Sequence, residues 1–258
     1  KIITTNLWSS ELSKLIANAF LAQRISSINS ITALCETTGA DINEVSEAIK
    51  TDHRIGKHFL NPGPGFGGSC FKKDILNLVY ICEHYGLHEV ATYWQKVVDI
   101  NNWQSKRILN IIVSKLFGTV SGKKISILGF SFKANTNDTR ESAAINICRG
   151  LLEEGCILSI YDPKVKAYQI EKDLLIKESN IQEGEESIGG WNFFETAIEA
   201  INQTDAIIVL TEWEEFKYLD WLEVSKKMRS PSWLFDTRLI CNTLEAEKNG
   251  INVWRIGA

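Results

Sequence analysis

The sequence predicts two folded units: an all-α unit built around one long helix, then an α/β unit of the doubly wound, parallel-sheet, Rossmann-like class. Two observations carry this. Up to about residue 117 apolar residues recur three and four apart, and beyond it short β-branched runs alternate with helical stretches. A polar, glycine-bearing break from Gly118 to Lys124 separates the two patterns, so the expected units are residues 1–117 and 118–258.

In the first unit the segment from Trp8 to about Thr38 places Leu12, Leu15, Ile16, Ala19 and Phe20 at helical offsets, with Ser9 or Ser10 as N-cap and Glu11 in the first turn. Ile25, Ile28, Ile31 and Leu34 continue the pattern and Gly39 ends it. A helix of about 30 residues spans roughly 45 Å, longer than one small domain needs, so it is expected to cross between domains or subunits. Lys14 and Asn18, four apart, share one of its faces; taken alone they read as a snorkelling lysine and a solvated amide. Asn43 is the expected cap of a short helix through Ile49. Arg54 and Lys57 fall in a polar connection, and Pro62 and Pro64 stiffen the entry to a glycine-rich turn. Helical spacing resumes from Phe71 through Cys82 to a stop at Gly86, and again from about Glu89 to Phe117.

In the second unit the expected strands are Ile125 to Phe130, Leu158 to Tyr161, Trp191 to Phe194, Ala206 to Leu210, Trp233 to Phe235 and Val253 to Ile256. Helices are expected over Ser142 to Glu153, Pro163 to Leu175 and Glu195 to Ile201, with a polar surface loop from Lys177 to Gly190. Such alternation places ligands beyond the strand C-terminal ends, where Lys133, Arg140 and Arg238 fall. The dinucleotide fingerprint G-x-G-x-x-G is absent after the first strand, where Gly129-Phe130-Ser131-Phe132-Lys133 stands, so this sheet is not expected to bind NAD in the ordinary way. Lys133 and Arg140, with Asp138 and Glu141 at capping-box spacing, could hold phosphate oxygens; singly they read as surface charge.

The 258 residues leave room for one large or two ordinary domains, and 28 basic against 32 acidic residues, a net charge of −4, argue against a nucleic-acid surface. No apolar run approaches the ~20 residues of a bilayer span and no leader opens the chain, so a soluble, cytoplasmic protein without a membrane partner is expected. Six scattered cysteines without a C-x-x-C pair, and four histidines without metal spacing, suggest reduced thiols and no metal.

The chemistry is placed at Gly65-Phe66-Gly67-Gly68-Ser69-Cys70-Phe71-Lys72-Lys73-Asp74. Glycines there let a ligand approach the backbone, and they deliver Cys70 to a helix N-terminus, whose free N–H groups favour a thiolate nucleophile. Asp74 lies one turn on, on the same face. The competing reading of Cys70 is a small apolar filler.

Three motifs together, Ser10 to Phe20, Phe66 to Asp74, and Gly129 to Lys133 with Asn137 to Ser142, closely resemble the UDP-glucose/GDP-mannose dehydrogenase family, its UDP-glucose branch most. Tyr161-Asp162-Pro163-Lys164, Leu210-Thr211-Glu212-Trp213 and Phe235-Asp236-Thr237-Arg238 extend the resemblance over essentially the whole chain. It implies a central dimerisation domain and a C-terminal nucleotide-sugar domain, with the family's N-terminal NAD-binding domain missing from these residues. It also implies oxidation of UDP-glucose to UDP-glucuronate by two hydride transfers to NAD, through a thioester on Cys70. Lys14 would stabilise the oxyanion or handle its proton, Asn18 would position and Asp74 would orient water.

For the substrate, the resemblance puts Phe59, Leu60, Asn61, Gly63, Gly65, Phe66 and Gly67 around the sugar nucleotide, Phe132 and Lys133 on the nucleotide side and Arg238 near the diphosphate. Arg54 would reach in from the partner of a homodimer or larger homo-oligomer, and Lys73 and Arg140 would approach NAD. The sequence departs from the animal pattern at Asn61-Pro62-Gly63-Pro64 and at Thr237, where glycine is usual. A sister dehydrogenase acting on GDP-mannose or a UDP-N-acetyl-sugar, or a non-catalytic nucleotide-sugar-binding module, are the alternatives.

Overall fold

The computed structural model describes residues 2–179 and 189–258, so most of the expected loop from Lys177 to Gly190 lies outside the described residues. The first helix, α1, runs Leu7–Thr38 and is capped by Asn6, whose side chain accepts from Ser9 N at 2.8 Å. The expected caps Ser9 and Ser10 lie inside the helix, because Asn6 already satisfies the free amide of Ser9. Gly39, at φ 79°, closes it. Helix α2 (Ile42–Lys50) is capped by Asp41, and Asn43, the expected cap, is instead the donor to Asp41 at 2.7 Å.

Helices α3 (Phe71–His84) and α4 (His88–Lys115) pack on α1 through Ala19 and Ala22 against Ile75, Leu78, Trp94, Val97 and Val98. Small residues on α1 allow this close approach. The second half of α4 leaves that cluster and enters another, where Ile108, Ile112 and Leu116 are fully or almost fully buried with sheet residues. Each such side chain contributes about 1.5–3 kcal/mol. α4 is therefore shared between the two cores.

Among the described residues six parallel strands form one sheet in the order β3-β2-β1-β4-β5-β6. They are β1 (Lys124–Leu128), β2 (Ile157–Tyr161), β3 (Gly190–Phe193), β4 (Ala206–Val209), β5 (Trp233–Asp236) and β6 (Asn252–Arg255). The expected parallel, doubly wound arrangement is what the chain forms, although β1 ends at Leu128 rather than Phe130 and β6 runs one residue earlier than expected. Residues alternate between faces: Ile125, Ile127, Ala206 and Ile208 face the cluster that contains α4 and α5 (Ala143–Glu153), while Leu128, Ile207 and Val209 face the opposite one.

Helix α6 is Ala167–Leu174, starting four residues after the expected Pro163, because Asp162 Oδ1 accepts from Lys164 N and Val165 N and holds them in a turn. Helix α7 is Ala197–Ile201. Two further helices, α8 (Trp221–Lys227) and α9 (Thr243–Lys248), and a 3-10 turn over Glu214–Tyr218 cover the second face and have no sequence-based counterpart. The strand order reverses between β1 and β4, so the crevice beyond their C-terminal ends is bounded by the loops after β1, β4 and β5.

Candidate functional site

The glycine-proline loop between α2 and α3 faces that crevice. From Pro62 to Gly68 it is buried, so its backbone polar groups need partners. Helix side chains supply them. Asn29 Oδ1 accepts from Gly63 N at 2.9 Å, Gln104 Nε2 donates to Gly63 O at 3.1 Å, and Ser105 Oγ donates to Pro64 O at 2.8 Å. Asn101 exchanges two bonds with Phe66, and Ser46 Oγ donates to Leu60 O at 2.7 Å. None of these five polar residues is among those the sequence singles out. Their signal is weak but real, since Asn29, Gln104 and Ser105 interrupt apolar helix stripes.

The loop then docks on the second unit. Gly68 N donates to Arg140 O at 2.7 Å, and a Cβ on Gly67 would lie 2.5 Å from Glu141 O and 2.8 Å from Phe132 Cβ. Only glycine permits that contact. Gly68, at φ 88°, turns the chain and Ser69 leads into Cys70, which caps α3 without a side-chain capping bond and is exposed. The expected capping box of Asp138 and Glu141 does not form. Ser142 caps α5, Asp138 is held by Arg140, and Glu141 pairs with Lys72 at 2.8 Å, tying α3 to the same loop.

Lys14, Asn18 and Asp74 converge. Lys14 Nζ lies 2.9 Å from Asp74 Oδ2, and Asn18 Nδ2 donates to the same oxygen at 2.6 Å. Asp74 is 3% exposed. Burial pushes its pKa up, and the hydrogen bonds from Asn18 and Lys14 outweigh it and hold the carboxyl below its ordinary value. Lys14 holds its proton more firmly than usual, chiefly through its bond to Asp74 and also through nearby Cys70. The pairing replaces the readings of a snorkelling lysine and a solvated amide.

On the other side of the loop a cavity of about 290 Å³ is bounded by Phe59, Asn61, Gly63, Gly65, Phe66, Gly67, Phe132, Lys133 and Arg238, with Ile25, His58, Phe71 and Glu212 completing it. Phe59 stands at φ 60°, edge-on to Phe71, whose ring meets Phe66 the same way. The Arg238 guanidinium donates to Leu210 O at 2.8 Å and to Phe132 O, and lies 3.1 Å from Glu212. Burial weakens its hold on the proton, and Glu212 and Asp236 oppose that. Lys133 Nζ sits 5.4 Å from the Phe132 ring centre and is otherwise open to solvent. Leu60 is turned the other way, into the cluster with Ile28, Cys35 and Ile42, so its side chain is not on this wall. Arg54 is not on it either; it is held by Asp52 at 2.6 Å and is 80% exposed.

Lys73 and Arg140 line a separate shallow cavity of about 560 Å³ beside Ser69, and the Cys70 sulfur acts electrostatically on Arg140 as it does on Lys14. The turn after β1 packs closely on the loop after β4. A Cβ on Gly129 would collide with Thr211, whose Oγ1 donates to Ser131 O at 2.6 Å. Asp162, also unforeseen as a hub, accepts from Phe130 N, Ser131 N and Trp213 Nε1 and fixes that turn.

Residues 8–103 match the central domain of the UDP-glucose/GDP-mannose dehydrogenase family, and residues 126–243 match that family's UDP binding domain. UDP-glucose 6-dehydrogenase 4 of Arabidopsis thaliana is 52% identical over 264 residues, covering 100% of this chain and 55% of the relative. The UDP-glucose 6-dehydrogenase of Drosophila melanogaster is 52% identical over 257 residues, covering 99% and 54%. This chain thus spans about half the length of the curated relatives it matches. A UDP-glucose dehydrogenase from the archaeon Pyrobaculum islandicum superposes with a TM-score of 0.78 at 28% identity, over 97% of this chain and 51% of that one. A UDP-D-ManNAc dehydrogenase from Pyrococcus horikoshii gives 0.77 at 25% identity, over 100% and 54%.

Proposed function

Since this chain belongs to the UDP-glucose/GDP-mannose dehydrogenase family, we propose that it supplies the nucleophile and the nucleotide-sugar site of a UDP-glucose dehydrogenase, with residues 1–117 as the helical dimerisation domain and 118–258 as the sugar-nucleotide domain. The observation that carries this is the buried Asp74 carboxylate, held by Lys14 and Asn18 one helical turn from the exposed Cys70. The 52% identity to two curated UDP-glucose 6-dehydrogenases supports glucose as the sugar.

The glucosyl end lies at the glycine end of the 290 Å³ cavity and the diphosphate lies against Arg238 and Lys133, where charge-assisted hydrogen bonds are strongest. NAD supplies the two-electron acceptor for each of two oxidations. Lys73 and Arg140, which line the cavity beside Ser69, would be the residues of this chain to approach it. Once the C6 alcohol has become an aldehyde, the Cys70 sulfur adds to its carbonyl carbon, and the oxygen takes up negative charge or a proton beside Lys14. Loss of the second hydride leaves a thioester. Water positioned by Asp74 and Asn18 attacks that carbonyl, and the C–S bond breaks to give the carboxylate and restore the thiol.

Intact-mass analysis of the whole enzyme during turnover tests this. A UDP-sugar adduct on Cys70 is expected in the unaltered protein and none in Cys70→Ser, which should also lose acid production. Normal turnover by Cys70→Ser would remove Cys70 from the mechanism.

A further inference from the structure

Asn61, Glu212 and Arg238 also line a second cavity of about 480 Å³, between α2 and the loops after β4 and β5, which adjoins the 290 Å³ one across these residues. Lys50, the last residue of α2, points into it and its side chain is only 16% exposed, unusual for a lysine on a helix end. Its Nζ donates to Glu47 Oε1 at 2.8 Å and to Asn61 Oδ1 at 3.0 Å. An ammonium carries three N–H groups, so one is left for the cavity. Lys50 occupies the Asn61 oxygen, and the Asn61 N–H₂ has no hydrogen-bond partner among the described residues.

The neighbouring charges are already engaged. Glu47 is held by Lys50 and Lys217 by Glu214 at 2.8 Å, and Glu212 is ion-paired with Arg238 at 3.1 Å although its Oε2 accepts no hydrogen bond among the described residues. What Lys50 and Asn61 offer a ligand is thus a pair of donors, next to the guanidinium assigned to the diphosphate.

The geometry points to Lys50 as the residue that reads the nucleotide base: with Asn61 it donates to ring carbonyl oxygens, and so holds a uridine nucleotide in preference to a cytidine one. Cytosine carries an amino group where uracil has its second carbonyl, and facing that donor against Lys50 leaves two donors opposed and unpaired. The inference rests on the reading of the adjoining cavity as a nucleoside-diphosphate site.

Calorimetric titration of this chain with UDP and with CDP tests it. The unaltered chain is expected to bind UDP at least about tenfold more tightly than CDP, the scale of a lost hydrogen bond to a charged group. Lys50→Met should bring the two within about threefold, by loss of UDP affinity, while Lys50→Arg keeps the preference because it keeps the donor. Asn61→Asp, which places acceptors where the amide donates, should erode the preference independently. A UDP preference undiminished in both Lys50→Met and Asn61→Asp, or absent in the unaltered chain, would overturn the base-reading role and leave the nucleotide site standing. Failure of the unaltered chain to bind UDP at all would overturn both.

Discussion

At Asp74 burial and hydrogen bonding oppose each other, and the outcome fixes a pH dependence. Its folded-state pKa lies below the ordinary carboxylate value of about 3.9, so the stability it contributes is present at neutral pH and is lost as pH falls below that value and through the folded one. Asp74→Asn should therefore cost about 1–3 kcal/mol at pH 7, with the cost shrinking as pH falls below the ordinary carboxylate value and through the lower folded one. Thermal melts of both proteins across that range would check it; a cost that stays constant would mean Asp74 is already neutral in the fold. Lys14 is a different case, since its side chain is 66% exposed and one bond to Asp74 does not make it a stability element. Its replacement by Ala in the whole enzyme should lower kcat by about 10²-fold or more with little change in KM, the signature of an interaction made with developing charge. A change confined to KM would make Lys14 a binding residue.

Elements set those residues in register, and here the sequence is unevenly legible. α1, α3 and α4 repeat their apolar spacing over many turns, and the sheet strands are β-branched and flanked by turns, so both units could be read directly. α8 and α9 are only 7 and 6 residues long, too short for a period to stand out, and each buries one face through a residue or two such as Trp221 and Ala246. The role of Lys14 and Asn18 could be placed only through resemblance, because Asp74 is 56 residues beyond Asn18 and no local pattern joins them. The same holds for Gln104 and Asn29 beneath the glycine-proline loop, since a polar residue in an apolar stripe says that a partner exists but not which one. Gly67 is the element-scale test. Gly67→Ala must displace the loop from Glu141 and Phe132, which should cost about 1–3 kcal/mol and weaken UDP binding in parallel. Thermal unfolding and UDP titration of the variant would measure the two, and an unchanged melt would show that the two units do not meet there as tightly as these distances require.

At the scale of the whole molecule, the helical unit leaves apolar surface that its own packing does not use. A groove of about 490 Å³ between α1, α3 and α4 is lined by Trp8, Leu12, Ile16, Phe20, Tyr85 and Trp94, and farther along α1 Leu34 is 57% exposed. Trp8 and Phe20 are each more than half exposed, and covering such side chains stabilises by about 25 cal/mol per Å² of apolar area. A second copy meeting α1 through this surface would bury it in a two-fold arrangement, and that arrangement gives Arg54 a purpose. Among the described residues of one protomer Arg54 reaches only Asp52 and stays away from the cavity wall, whereas the segment that carries it, with Ile55, Gly56 and His58, is pinned to α1 by Arg24. A dimer built on α1 would carry each Arg54 toward the partner's glycine-proline loop. The chain should therefore sediment at twice its mass, and a Phe20→Glu, Leu34→Glu double variant should shift toward the monomer. Arg54→Ala should weaken UDP binding by about tenfold in the dimer, the loss of one charge-assisted bond, without changing its mass. A monomeric chain with full UDP affinity, or a dimer in which Arg54→Ala binds UDP normally, would show that each site is complete within one protomer.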